Sequence, residues 1–207
     1  MSVVSLLRIG AVLCVVGGVA GMVGYLLAPF PPMDVKQQVA SATFVAGYGL
    51  AALGGHLVVL GLPAVYALIA GRGGVPGLIG FLFLMLGAMG VGYVNSLLNL
   101  LVKPWAVGHP IPIDALNSGP PASMVYLFGC AFILLIGAIV FGVVNIRTQT
   151  YSRWPSIALI VSGIGVILWP QVGVSLFFAS VAWYGVELWT RTKSALLVDE
   201  AGTPQPS

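Results

Sequence analysis

Charge is what this chain lacks. Its 207 residues include only eight lysines and arginines, five acids and two histidines, so 6 % are charged, where a soluble domain carries about 25 %. So few ions cannot clothe a water-facing surface, which excludes a soluble globular domain. The 59 % of hydrophobic residues excludes a disordered chain. Cysteine is scarce as well. Cys14 and Cys130 lie inside apolar runs, at different distances from the run ends, and form no C-x-x-C pair. Neither a disulfide scaffold nor a redox dithiol is expected, and both read as small buried hydrophobes.

The cations stand singly at the ends of apolar runs. That is the distribution of topology determinants, so no nucleic-acid partner is expected. The small stock of acids and histidines leaves little for proton transfer. H-E-x-x-H, G-x-S-x-G and clustered aspartates are missing, so an enzyme is not expected either. Gly71-Arg72-Gly73-Gly74 and Gly87 to Gly92 resemble phosphate loops only in composition. Neither has a P-loop lysine or a strand before it; the first reads as a tight turn and the second as a packing face.

What is present is long apolar sequence, with a mean hydropathy of +1.06. A hydrocarbon core of ~30 Å needs about 20 apolar helical residues per crossing. The apolar runs are Leu6–Leu27, Val39–Ala70, Pro76–Val102, Ala122–Ile146 and Ser156–Trp189. Within the first, the uncharged run from Ile9 to Phe30 follows Arg8 as a signal peptide would, but it is longer than such an h-region and no A-x-A site follows, so it reads as an uncleaved span. In the second, Gly54-Gly55 and Pro63 are the candidate kinks. The fifth is too long for one crossing and divides at Trp169-Pro170-Gln171.

The expected fold is therefore all-α, a polytopic bundle of six transmembrane helices over residues 1–190, followed by a polar cytoplasmic tail, 191–207. Barrel strands would be shorter and less uniformly apolar. Six crossings place Arg8, Arg72, Arg147, Arg153, Arg191 and Lys193 on one side. Lys36 and Lys103, with Asp34 and Asp114, fall on the other. The positive-inside rule then puts both termini in the cytoplasm. Trp105, Trp154, Trp169, Trp183 and Trp189 mostly fall near span ends, as interfacial tryptophans do. Small residues such as Gly17-x-x-x-Gly21 and Ala88-x-x-x-Gly92 are the expected helix contacts. The end of the tail, Gly202 to Ser207, reads as loosely held.

Three polar positions stand out within the spans. His56 lies mid-span in the second run, where a titratable group is costly and is a functional candidate. It reads either as a ligand, for a haem or chlorin metal or a quinone or lipid headgroup, or as a hydrogen-bonding packing residue. Asn95 and Asn99 lie at i, i+4 near the outer end of the third run, with Ser96 between them and Tyr93 nearby. They read as a headgroup- or quinone-binding pair or as an interhelical amide bond. His56 is expected to lie deeper than Asn95. Glu187, the lone acid within a span, stands four residues before Arg191 and is expected to pair with it. His109 belongs to a proline-stiffened outer loop and reads as a solvated residue.

Two stretches also carry a resemblance. His56-Leu-Val-Val-Leu-Gly-Leu-Pro63-Ala-Val-Tyr66 ends one helix, and Arg153-Trp154-Pro155 opens a hairpin with no charge from Ile157 to Trp169. This layout resembles a loose group of small bacterial multi-span membrane proteins of unknown function. The resemblance implies a six-helix fold in the cell inner membrane and carries no activity.

The expected role is a non-catalytic accessory or structural subunit of a larger membrane complex, with other subunits or further copies as partners. The alternative is a cofactor- or lipophile-binding protein using His56, Asn95 and Asn99. A small transporter or channel ranks third, because Asn95, Ser96, Asn99 and Tyr48 are its few available lining groups.

Overall fold

The computed structural model describes residues 2–29, 33–108 and 121–202, with side chains over 2–29, 33–108 and 125–193. The described residues are helical without a strand. The elements are α1 (Val3–Leu27), the short α2 (Val35–Ala40), α3 (Phe44–Ala88), a π-helix (Met89–Val94), α4 (Asn95–Val107), α5 (Pro121–Thr148), α6 (Arg153–Leu168) and α7 (Pro170–Gly202). Four helical stretches are long and apolar enough to cross a membrane: Val3–Leu27, Phe44–Val107, Val125–Thr148 and Pro170–Lys193. Helix α6 is apolar but shorter. An all-helical build follows from the solvent, since a backbone in hydrocarbon must satisfy its own N–H and C=O groups.

Phe44–Val107 is not one straight rod. Gly74 has φ 53° and ψ −154°, a conformation essentially reserved for glycine. The rings of Tyr66 and Phe81 stack with centroids 4.5 Å apart, whereas fifteen residues of straight helix would separate them by about 22 Å. The chain therefore doubles back at Gly74, in the turn expected from Arg72 to Pro76. Further along, the backbone at Gly55 meets that of Gly92 and Tyr93, so the arms on either side of Gly74 lie antiparallel. Pro63 sits inside α3 without breaking it, and the only non-helical residue there is Gly74. Gly74→Ala is expected to cost about 1–3 kcal/mol, read as the thermal unfolding midpoint in detergent. Gly71→Ala, with open space around it, is expected to stay within about 0.5 kcal/mol.

Close approach between helices sets the rest of the architecture. On α1, Gly10, Gly17 and Gly24 recur every seventh residue. They face Gly47, Gly54 and Gly61 of the first arm of α3, which carry the same spacing. Any Cβ here meets backbone: one at Gly61 would lie 2.8 Å from the Gly10 carbonyl oxygen, and one at Gly17 2.9 Å from that of Gly54. An adjoining side of α1 receives α7, where Gly18 and Gly21 meet Phe178 and Ala182. The second arm of α3 packs through Gly80 and Gly87 on Phe141 and Leu134 of α5. Helices α5, α6 and α7 follow in sequence, and α7 returns to α1. The helices so form a closed ring, bridged inside by the buried ring of Phe178, which reaches both Gly21 and Gly92. With no hydrophobic force between helices in lipid, such contact is what holds them together. Cys14 and Cys130 are both free thiols.

Three boundaries differ from the expectations. Helix α4 continues through Pro104 to Val107 instead of ending at Val102. Its last turns are held from outside: the Lys103 ammonium donates to Gln38 Oε1 at 2.6 Å and lies over the Tyr48 ring. Helix α2 fills part of the link expected to be irregular, started by a capping box between Asp34 and Gln37. Helix α7 runs past Thr190 to Gly202, so the chain stays helical well into the expected tail. Residues 203–207, His109 and Asp114 lie outside the described residues.

Candidate functional site

Among the described residues, and besides the Lys103–Gln38 contact, polar side chains interrupt the apolar bundle at three places. The first surrounds the π-helix. Tyr25 of α1 is buried, and its hydroxyl donates to the Val91 carbonyl at 2.7 Å. Ser96 donates to the Gly92 carbonyl at 2.8 Å and approaches the Tyr25 hydroxyl at 3.1 Å. Gln171, in the first turn of α7, donates to the Tyr25 carbonyl at 3.1 Å. A π-turn leaves its carbonyls misaligned with the α-helical ladder, and these side chains take up two of them. Tyr48 likewise donates to a backbone carbonyl, that of Pro29, at 3.2 Å.

His56 stands beside this distortion. Gly17, near the middle of α1, meets Gly54 and Leu57, which sets His56 at about mid-height. Its side chain is exposed on the outer face of the bundle. It meets the Tyr93 ring of the π-helix, with centroids 5.3 Å apart and planes at 55°. Among the described residues it makes no hydrogen bond to a neighbouring helix. Around the pair lie exposed Leu53, Leu60, Leu86 and Met89. The imidazole therefore projects from an apolar surface that hydrocarbon would otherwise cover. Asn95 and Asn99 bond each other: the Asn99 amide donates to the Asn95 carbonyl at 2.7 Å and to its side-chain oxygen at 3.2 Å. Tyr93, two residues before Asn95, joins the two places in sequence, and Asn95 also hydrogen-bonds the Tyr25 hydroxyl.

The third place is the α5–α6 turn. Asn145 is fully buried. Its amide donates to Ser156 Oγ and, at 3.4 Å, to the Tyr184 hydroxyl; its oxygen accepts from the Tyr151 N–H at 3.1 Å. Tyr151 in turn donates to the Val65 carbonyl at 3.0 Å, so one network joins α3, α5, α6 and α7. Burial, more than any neighbouring charge, pushes the Tyr151 hydroxyl up from its ordinary value, which keeps it a proton donor. Glu187 of α7 accepts from the Ser152 N–H at 2.8 Å and from its hydroxyl. It thereby serves the start of α6 from another helix. The expected Glu187–Arg191 pairing gives way to this clasp, and the Arg191 guanidinium instead lies over the Tyr151 ring. The turn brings a backbone donor within reach of the carboxylate, and a charged acceptor on a backbone N–H is a strong bond.

Sequence reasoning singled out His56, Asn95 and Asn99. It missed Tyr25, Gln171 and Asn145, because an isolated amide or hydroxyl in an apolar run does not say which helix it meets. Glycine spacing was the usable signal for His56. Two residues past Gly54, it lies about 200° around the helix from the α1 contact. Compared with known protein families, curated proteins and solved structures, the chain matches none.

Proposed function

We propose that this protein is a non-catalytic subunit of a larger membrane assembly and that the His56–Tyr93 face is where it meets its neighbour, another subunit or a second copy. The observation that carries this reading is the exposed imidazole at mid-height. A polar, titratable group facing lipid is costly, and such residues characteristically face protein. A packed interior supports it, since backbones touch at the glycines and the axis is filled by Phe178. That is the build of a rigid scaffold.

The proposed topology has six crossings: α1, the two arms of Phe44–Val107, α5, α6 and α7. Arg8 lies over Trp189 and Arg191 over Tyr151, while Lys103 reaches Gln38 at the other end. The cation asymmetry supports cytoplasmic termini and insertion in a cell inner membrane.

Native electrophoresis from mild detergent tests the assembly. The expected result is a particle well above the 21.4 kDa chain with its detergent. His56→Ala is expected to release the single chain without changing its unfolding temperature. A wild-type monomer overturns the reading. The π-helix beside the imidazole favours a second reading, because such distortions gather at ligand sites. A flat or chain-like lipophile, such as a haem, a chlorin or a quinone, would then lie against His56 at the bundle surface. That reading predicts an absorbance band or extractable quinone that His56→Ala removes.

A further inference from the structure

On the outside of the ring, α1 and α7 leave a groove of about 260 Å³ lined by Ala11, Val12, Val15, Val16, Val186 and Trp189. Every lining side chain is apolar except for the indole N–H. Its α1 residues follow Arg8 at i+3, i+4, i+7 and i+8, so Arg8 stands on the same helix face, at the groove's end toward the N-terminus of α1. The Arg8 guanidinium lies 5.5 Å from the centroid of the Trp189 ring that closes that end. Arg8 Nε is buried and has no hydrogen-bond partner, which is rare for a guanidinium donor and costly. Arg191 and Lys193 are exposed on the next turn of α7. The acid nearest in sequence before them, Glu187, is already held by Ser152.

We infer that this groove is a binding site for an anionic glycerophospholipid. One acyl chain lies along the valines, and the phosphate accepts from the Arg8 guanidinium beside Trp189. Charge complementarity selects the occupant. The apolar trough suits any acyl chain, but the Arg8 guanidinium and the cationic rim at its end suit a headgroup that keeps its negative charge, as basic pockets between spanning helices do. A zwitterionic lipid offers the same chains and phosphate with a competing cation. The inference is independent of the His56 face, which lies on a different part of the ring.

Native mass spectrometry of the full chain, released from mild detergent with equal phosphatidylglycerol and phosphatidylcholine of matched acyl chains, tests it. The expected result is retained phosphatidylglycerol at roughly tenfold preference, the scale of one charge-assisted hydrogen bond. Arg8→Gln is expected to remove most of the preference, leaving what Arg191 and Lys193 supply, and Arg8→Lys to keep more of it. Val16→Trp, on an exposed position, is expected to lower retention of both by filling the trough. Thermal unfolding identifies any variant that fails to fold, and the wild-type comparison needs no variant. Equal retention of the two lipids by the wild type, or an undiminished preference in folded Arg8→Gln, overturns the inference.

Discussion

Gly54→Leu is expected to prevent the bundle from forming. A Cβ at Gly54 would overlap the backbone of Gly21 and come within 2.6 Å of the Gly17 carbonyl oxygen. Both are main-chain atoms of a neighbouring helix, so no rotamer change relieves the clash. Overpacking a core costs about 1–3 kcal/mol where side chains can yield. Here α1 itself must move, which also opens the contacts it makes through Gly10, Gly24 and Gly61. The expected outcome is loss of the monodisperse peak in size-exclusion chromatography. Gly49→Leu is the matched control. Nothing lies within 4 Å of a Cβ there, and the same residue change is expected to leave folding within about 0.5 kcal/mol of wild type. A Gly54→Leu protein as stable as Gly49→Leu would mean that α1 and α3 do not touch through their glycines.

Asn145→Leu is expected to carry the second largest effect, because it removes an acceptor that no other group replaces. Ser156 and Tyr184 still bond each other at 2.8 Å, so their hydroxyls remain satisfied. The Tyr151 N–H loses its partner, and a buried unsatisfied donor costs about 1–3 kcal/mol. The loss is expected to be local first. Hydrogen exchange should rise at Tyr151 and Ser152, while the glycine-packed α1–α3 contact keeps its protection. Asn145→Asp keeps an acceptor for the Tyr151 N–H and should retain more of that protection than the leucine variant. Unchanged exchange at Tyr151 in Asn145→Leu would exclude the bond.

These two residues also mark what the sequence made readable. The helical segments, the Gly74 turn and the division at Trp169-Pro170 follow from span length and backbone chemistry, and the structure has each of them. The glycine faces were partly readable. Gly17-x-x-x-Gly21 pointed to α1 as a packing helix, but the governing period is seven, shared with Gly47, Gly54 and Gly61. Partners were not readable. In a soluble helix, polar residues mark the face turned to water; in a membrane span, lipid and protein interior are equally apolar, so polarity did not tell whether His56 faced in or out, and only the glycine spacing bore on it. Glu187 shows the same limit. Its i+4 neighbour Arg191 is visible in sequence, whereas Ser152, thirty-five residues earlier, comes within reach only after α6 and α7 fold together. The π-helix at Met89–Val94 has no sequence mark beyond its glycines, since it answers to Tyr25 and Gly55 on other helices.

The place of α1 between the first arm of α3 and α7 has a consequence for biosynthesis. A chain emerges from the ribosome N-terminus first, and α1 can pair with α3 as soon as that arm is inserted. The seam formed by Gly18 and Gly21 must wait for Phe178 and Ala182, which are made more than 150 residues later. Until then half of the first helix stays open to whatever the membrane offers, including insertion factors or the small-residue faces of other nascent chains. Closing the ring therefore waits for α7, and substitutions there are expected to expose newly made protein to membrane quality control before they alter any property of the finished molecule.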